Sequence, residues 1–178
     1  MEFETERLVL REFNEGDKNN LYKLFSEKFA STYEHLPKDP DGVESYINFH
    51  MENAKSSDRT HYYYVIELQE THEFVGSIGY AFVENAGING VEGCVTELEY
   101  YLLEKHWNNG YMTEALKKII SSAFERGDMV KIFAQCHTDN HRSEKVMVKC
   151  GMRRSEKQPA PKFYNGTLKT NVRYELTV

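Results

Sequence analysis

Seven apolar residues, Met112, Ala115, Leu116, Ile119, Ile120, Ala123 and Phe124, recur at the three- and four-residue spacing of one helix face, and Gly127 closes the run. Strand-like apolar runs lie on both sides, at residues 95–103 before it and 130–136 after it. A second helical pattern follows over residues 140–150, with Val146, Met147 and Cys150 inward and Gly151 at its end. Strand, helix, strand and helix in succession imply a crossover unit, in which the helix carries the chain back so that two strands can run parallel.

The front half of the chain has a different period. Residues 7–12 alternate as a short strand, and Leu21, Leu24, Phe25 and Phe29 then recur at helical spacing after the polar turn at 14–17. Pro37 and Pro40 break a connection before a second helix expected over residues 43–54. Residues 62–68, 73–83 and 95–103 are rich in Val, Ile, Tyr and Phe, and turn material at Asn85-Ala86-Gly87 and Asn89-Gly90 separates the last two. They read as three consecutive antiparallel strands. Closing strands over 152–155 and 169–177 flank the turn-like Tyr164-Asn165-Gly166. With 178 residues the chain has room for one substantial core and not for two ordinary domains. The expectation is a single mixed α/β domain over 1–178, with a meander in front and a crossover behind.

Charge narrows the function. Lys and Arg number 22 against 28 Asp and Glu, a net charge of -6, which disfavours a sequence-independent hold on nucleic acid or an anionic membrane. A cationic or amine substrate fits better. Cys94, Cys136 and Cys150 form no CxxC pair and suit free thiols in a reducing compartment. The acidic start, Met1-Glu2-Phe3-Glu4-Thr5-Glu6-Arg7, shows no secretory signal, and no stretch is long enough to span a bilayer, so the expected location is the cytoplasm.

The chemistry is concentrated where the strand at 96–103 enters Glu104-Lys105-His106-Trp107-Asn108-Asn109-Gly110-Tyr111-Met112-Thr113 and the long helix begins. The first N–H groups of such a helix have no intrahelical partner and carry the positive end of its dipole, so they can cradle a phosphate. Asn108 and Asn109 tolerate left-handed backbone, and Gly110 permits close approach. A loop that only has to turn needs glycine too, so the glycine alone does not decide between the two. GxxxxGK[ST] is absent, as is GxGxxG between strand and helix, which removes the main support for nucleotide hydrolysis and dinucleotide redox chemistry. Gly76-Ser77-Ile78-Gly79 lies inside a strand pattern and reads as a bulge or close packing. Cys136, His137, Asp139 and His141 sit across a strand-to-helix turn with no second ligand pair, so no metal is expected. Tyr62-Tyr63-Tyr64 reads as alternating burial in a central strand.

The strand at 96–103, the loop Trp107-Asn108-Asn109-Gly110-Tyr111-Met112, Thr113-Glu114-Ala115-Leu116, and Asp139-Asn140-His141-Arg142-Ser143 through Lys149-Cys150-Gly151-Met152 together resemble the GNAT acetyltransferase superfamily. Within it they look most like the ribosomal-protein serine and alanine N-acetyltransferase (RimJ/RimL-like) branch, and the likeness extends to the opening Thr5-Glu6-Arg7-Leu8-Val9-Leu10-Arg11. The resemblance implies a central mixed, mostly antiparallel splayed sheet flanked by about four helices, with acetyl-CoA as cosubstrate. It places the pyrophosphate on Asn108, Asn109, Gly110, Tyr111, Met112 and Thr113, next to Trp107. The pantetheine arm would pair with the backbone of Tyr101, Leu102 and Leu103, with Asn140 contacting it from the other side. The family usually has Gln or Arg where Trp107 stands and a small residue where Met112 stands.

Acetyl transfer from a thioester needs a neutral amine, a donor for the oxyanion and a proton for the leaving thiolate. The resemblance assigns the oxyanion to a backbone N–H near Leu102. Glu97 and Glu99 lie two apart on one strand and share a face, so either can draw the amine proton, directly or through water; Glu97 matches the branch better. Each also fits a solvated strand face or a cross-strand ion pair. The family's tyrosine acid is replaced here by Met147, which moves that role to Ser143; the same serine also fits a helix-start residue that only bonds backbone. Cys136 reads as a small core residue rather than a nucleophile, which makes the transfer a direct attack in a ternary complex. Some members of the branch carry a carboxylate at the position of Lys162. Tyr33, His35, Glu99, Phe163 and Tyr164 are the acceptor-side candidates.

Three activities remain in view: acetylation of a protein or peptide α-amine, acetylation of a small amine such as a polyamine, aminoglycoside or amino acid, and a non-catalytic acyl-CoA-binding or interaction module. Monomer and homodimer both remain open.

Overall fold

The computed structural model describes residues 2–88, 91–127, 129–164 and 167–177, without the side chains of residues 86–88, 91, 92, 162–164 and 167. Eight strands are hydrogen-bonded in the order β1 (Glu2–Glu4), β2 (Leu8–Glu12), β3 (His61–Leu68), β4 (Phe74–Ile88), β5 (Val91–Leu102), β6 (Met129–His137), β10 (Asn171–Thr177) and β7 (Arg153–Arg154), while β8 (Lys162–Tyr164) and β9 (Thr167–Lys169) form a separate pair. The α-helices among the described residues are α1 (Lys18–Ser26), α2 (Pro40–Lys55), α3 (Tyr111–Glu125) and α4 (His141–Lys149). The β5–β6 pair is parallel, and β1–β2, β2–β3, β6–β10 and β7–β10 are antiparallel. The crossover through α3 is therefore present, and the mixed α/β class and helix number agree with the expectation.

The chain divides into two compact units. The first comprises Met1–Tyr80 and Tyr100–Ala115. Its core is formed by Leu8, Leu10, Leu21, Leu24, Phe25, Val43, Ile47, Tyr64 and Ile66, all almost fully buried. Asn14 opens the first helical segment with a reciprocal capping box to Asp17, and Asp39 caps α2, with Pro40 in its first turn. Pro40 therefore starts the helix rather than breaking the chain before it, because the first turn does not need the N–H that proline lacks. β3 is buried continuously from Tyr63 to Ile66 rather than in alternation. Both faces are covered: Tyr64 meets Phe3 edge-on at 5.3 Å, and Tyr63 lies against Gly79. β1, too short and too polar to show a period, went unread in the sequence.

The second unit comprises Ala81–Glu99 and Leu116–Val178. Val95, Val130 and Phe133 form one of its apolar clusters, and Met147 carries α4 with no exposed surface. The residues Asn85 to Gly87 belong to β4, not to a turn. Cross-strand bonding accounts for the difference, since Cys94 Sγ on β5 donates to Asn85 Oδ1 at 3.3 Å; the expected turn at Asn89-Gly90 lies outside the described residues. The parallel ladder pairs Cys94 to Leu98 with Met129 to Ala134, and both strands run on, β5 to Leu102 and β6 to His137.

Candidate active site

In the first unit, β5 ends against β4 at a distance only glycine allows. A Cβ on Gly76 would lie 2.1 Å from the Tyr101 carbonyl oxygen and 2.9 Å from the Leu102 side chain. Leu103 N–H donates to Val75 O at 3.1 Å and holds the strand end there. Of the two sequence readings of this glycine, a bulge or close packing, the contacts at Gly76 show the second.

The chain then makes one 3-10 turn, Glu104–His106, and enters the loop. Asn108 and Gly110 both have left-handed backbone, with φ of 63° and 83°. The first helical bond of α3 runs from Glu114 N–H to Gly110 O at 3.1 Å, so the N–H groups before it stand outside the helical ladder. Trp107 turns back: its Nε1–H donates to Leu102 O at 3.0 Å and its ring meets Phe29 at 5.0 Å. Asn109 Nδ2 donates to His106 O and Trp107 O, both at 3.2 Å, closing the loop on itself. Loop geometry of this kind presents backbone donors to an anion rather than side chains.

A second layer holds that loop from the N-terminus. Glu114 accepts from Arg7 Nε at 2.8 Å, from Arg7 N–H at 2.9 Å and from Thr5 Oγ1 at 2.6 Å, while Arg7 Nη1 donates to Asn109 O at 3.1 Å. Burial pushes the Glu114 carboxyl up, but the hydrogen bonds from Thr5 and Arg7 outweigh it and hold it below the usual carboxylate range. Thr5 and Arg7 entered the sequence reading only as part of a family opening. No spacing rule pairs them with Glu114, which lies 107 positions beyond Arg7.

The acceptor-side candidates of this unit do meet. His35 Nε2 and Tyr101 Oη are 3.0 Å apart, and the Tyr33 and Tyr101 rings pack edge-on at 5.8 Å. Met112 is buried and Tyr111 lies under the Arg7 guanidinium at 4.7 Å, so the side chains of both serve packing.

In the second unit, Glu97 on β5 accepts from Gln135 Nε2 on β6 at 2.8 Å. This donor orients the carboxylate across the strand pair. Glu99 lies two residues on and is half-buried. Asn140 is the N-cap of α4, its Oδ1 accepting from Ser143 N–H at 3.2 Å, as both residue types suggest. Burial raises the Cys136 thiol to about 11 despite an opposing hydrogen bond with Ser143, so it is a poor source of thiolate. Tyr174 Oη donates to Glu144 Oε1 at 2.5 Å beside this turn, a contact the sequence did not suggest. Phe163 and Tyr164 lie on β8, with side chains outside the described part. His137 Nδ1 is engaged by Asn171 Oδ1 at 2.7 Å, and among the described residues no group of three or more His, Cys, Asp or Glu is placed to hold a metal.

The acetyltransferase (GNAT) domain pattern matches residues 7–153. The chain belongs to the GNAT acetyltransferase family. It is 26% identical over 165 residues to the uncharacterized N-acetyltransferase YoaA of Bacillus subtilis (strain 168), covering 92% of this chain and 89% of that one. The fold is shared with RimL, a ribosomal-protein α-N-acetyltransferase solved with coenzyme A, at a TM-score of 0.79 and 18% identity over 98% of this chain and 96% of that one. It is shared equally with spermidine N-acetyltransferase from Vibrio cholerae, solved with CoA and spermine, at 0.77 and 18% over 97% and 96%. These two neighbours, both solved with CoA, are named for different acceptors, a ribosomal protein and spermidine. Among the described residues no helix is long and apolar enough to cross a membrane.

Proposed function

We propose that the protein is an acetyl-CoA-dependent N-acetyltransferase acting as one catalytic domain, and that its acceptor is the α-amino group of a protein or peptide. The observation that carries the acyl-CoA half is the loop before α3, where left-handed Asn108 and Gly110 precede backbone donors outside the helical ladder. The pyrophosphate sits on Asn108 to Thr113, and the backbone of Tyr101, Leu102 and Leu103 pairs with the pantetheine arm. Asn140 bonds that arm, and Ser143 serves the sulfur.

The amine nitrogen attacks the thioester carbonyl carbon in a ternary complex. Glu97 takes the amine proton, directly or through water, the Leu102 N–H stabilises the oxyanion, and Ser143 protonates the departing thiolate. The acceptor class follows from the base. An α-amine has a pKa of about 8 and a lysine about 10.4, so roughly a tenth of the former is neutral at pH 7 and well under a thousandth of the latter. A single carboxylate bonded to Gln135 suffices for the first and asks much more for the second. Tyr33, His35, Glu99, Phe163 and Tyr164 are the acceptor-side candidates in this reading. The acidic balance of -6 gives one competing reading its support, a small cationic amine such as a polyamine.

The test is thiol release from acetyl-CoA with a panel of N-terminal peptides and of polyamines, aminoglycosides and amino acids. Turnover on peptides, with the acetyl group located on the α-nitrogen by mass spectrometry, is the expected result. Turnover confined to small amines contradicts the acceptor assignment, and CoA binding without turnover on any amine contradicts the enzymatic one.

A further inference from the structure

Resting on the acyl-CoA reading above, we propose that Arg7, clamped by Glu114, is a positioning residue that fixes the orientation of the Asn109–Gly110 peptide and so aims the Gly110 N–H at the pyrophosphate. The described peptide bonds are all trans, and in a planar trans peptide C=O and N–H point in opposite directions. Arg7 Nη1 holds the Asn109 carbonyl at 3.1 Å, which commits the Gly110 N–H to the side away from the guanidinium.

The local sequence does not make that choice. Rotating this peptide changes ψ of Asn109 and φ of Gly110, and glycine populates both signs of φ with similar ease. The flipped form would present a carbonyl, with its partial negative charge, where the loop otherwise presents a donor. Arg7 selects between the two because it cannot swing: Nε and Nη2 hold Glu114 Oε2 at 2.8 and 2.7 Å, and the guanidinium lies 4.7 Å from the Tyr111 ring centre. Glu114 is itself fixed by Thr5 Oγ1 and by Arg7 N–H. The arginine's donors are thereby committed to protein acceptors, and its effect on the ligand passes through the backbone of residue 110.

Positioning and simple charge predict opposite signs for one variant. Glu114→Gln removes a negative charge near a bound dianion, so a purely coulombic role for the Arg7–Glu114 pair makes acetyl-CoA bind more tightly. Loss of the clamp makes it bind more weakly. Arg7→Lys keeps the charge but lacks the fork that reaches Glu114 and Asn109 together.

The experiment measures acetyl-CoA affinity and steady-state kinetics for wild type, Arg7→Ala, Arg7→Lys and Glu114→Gln, with acetyl-CoA and with S-acetylpantetheine, a donor that lacks the pyrophosphate. Each variant is expected to raise Kd and KM for acetyl-CoA about tenfold, with kcat within about twofold. Its kcat/KM with S-acetylpantetheine is expected to match wild type. Tighter binding by Glu114→Gln, full rescue by Arg7→Lys, or equal losses with both donors overturns the positioning role while leaving the functional reading intact. A folded wild type that binds no acetyl-CoA overturns that reading and this inference with it. The Arg7 side chain is 45% exposed, and should Arg7→Ala fail to fold, the Lys and Gln variants decide the matter.

Discussion

The turn into α3 and the turn into α4 both present hydrogen-bonding groups at a helix start, and they are stabilised at very different ranges. Before α4, Asn140 caps Ser143 three residues on, with Asn140 at φ -87° and no left-handed residue required. Before α3, the loop needs left-handed backbone at Asn108 and Gly110, and a clamp from Arg7 and Thr5, more than a hundred positions earlier, holds it. A side chain offered as a donor needs only a local cap to fix it. Backbone offered as a donor has a low-cost flipped alternative, so a distant contact has to select the working form.

The largest expected effect comes from the strand end that precedes the α3 loop. Gly76→Ala would drive a methyl to 2.1 Å from the Tyr101 carbonyl, at a cost of about 3 kcal/mol or more, read as a large fall in Tm and loss of acetyl-CoA binding. An unchanged Tm would mean that the β4–β5 approach is not what shapes this end of the site. Next is Ser143→Ala, which leaves the backbone cap from Asn140 in place and removes only the hydroxyl. Turnover should fall about a hundredfold with unchanged Kd for acetyl-CoA, the split expected of a proton donor. An equal loss in binding would place Ser143 with the binding groups instead.

A buried histidine carries the first unit into pH dependence. In the first unit, His50 on α2 is 6% exposed, and its Nδ1 has no hydrogen-bond partner among the described residues; burial pushes it from the ordinary 6.5 down to about 3. The unfolded chain therefore binds a proton that the native state refuses between those values, and stability falls as pH drops from 6.5 toward 3, by up to about 1.4 kcal/mol per pH unit. His50→Phe should flatten that limb in thermal denaturation series. The smallest effect belongs to Cys136→Ala: with a thiol raised to about 11, turnover should stay within about twofold of wild type, and mass spectrometry should find no acetyl-enzyme. A hundredfold loss with a trapped thioester would reverse the order of roles between Cys136 and Ser143.

Legibility in the sequence follows the same division by range. α3, α4 and their closing glycines were readable, and Gly127 and Gly151 indeed sit at φ 75° and 84°, because period and cap are written within one turn of the chain. Pro40 was misread as a break because a proline before a helix and one in its first turn differ by a few positions. The strand character of Asn85 to Gly87 was hidden because turn-forming residue types do not report cross-strand partners such as Cys94. For the proposed site, Glu97, Asn140 and Ser143 could be put forward as candidates, but not the contacts of Gln135 with Glu97, Tyr101 with His35, or Arg7 with Asn109. Each of those contacts joins segments dozens of residues apart, and no local pattern encodes it.

Calorimetric titration of the folded wild-type protein with acetyl-CoA tests the central claim most directly. Saturable binding in the micromolar range, strongly weakened when coenzyme A is replaced by its pantetheine fragment, is the predicted result. A folded protein that takes up no acetyl-CoA would contradict the assignment of the α3 loop as a pyrophosphate cradle, and the acetyltransferase mechanism built on it.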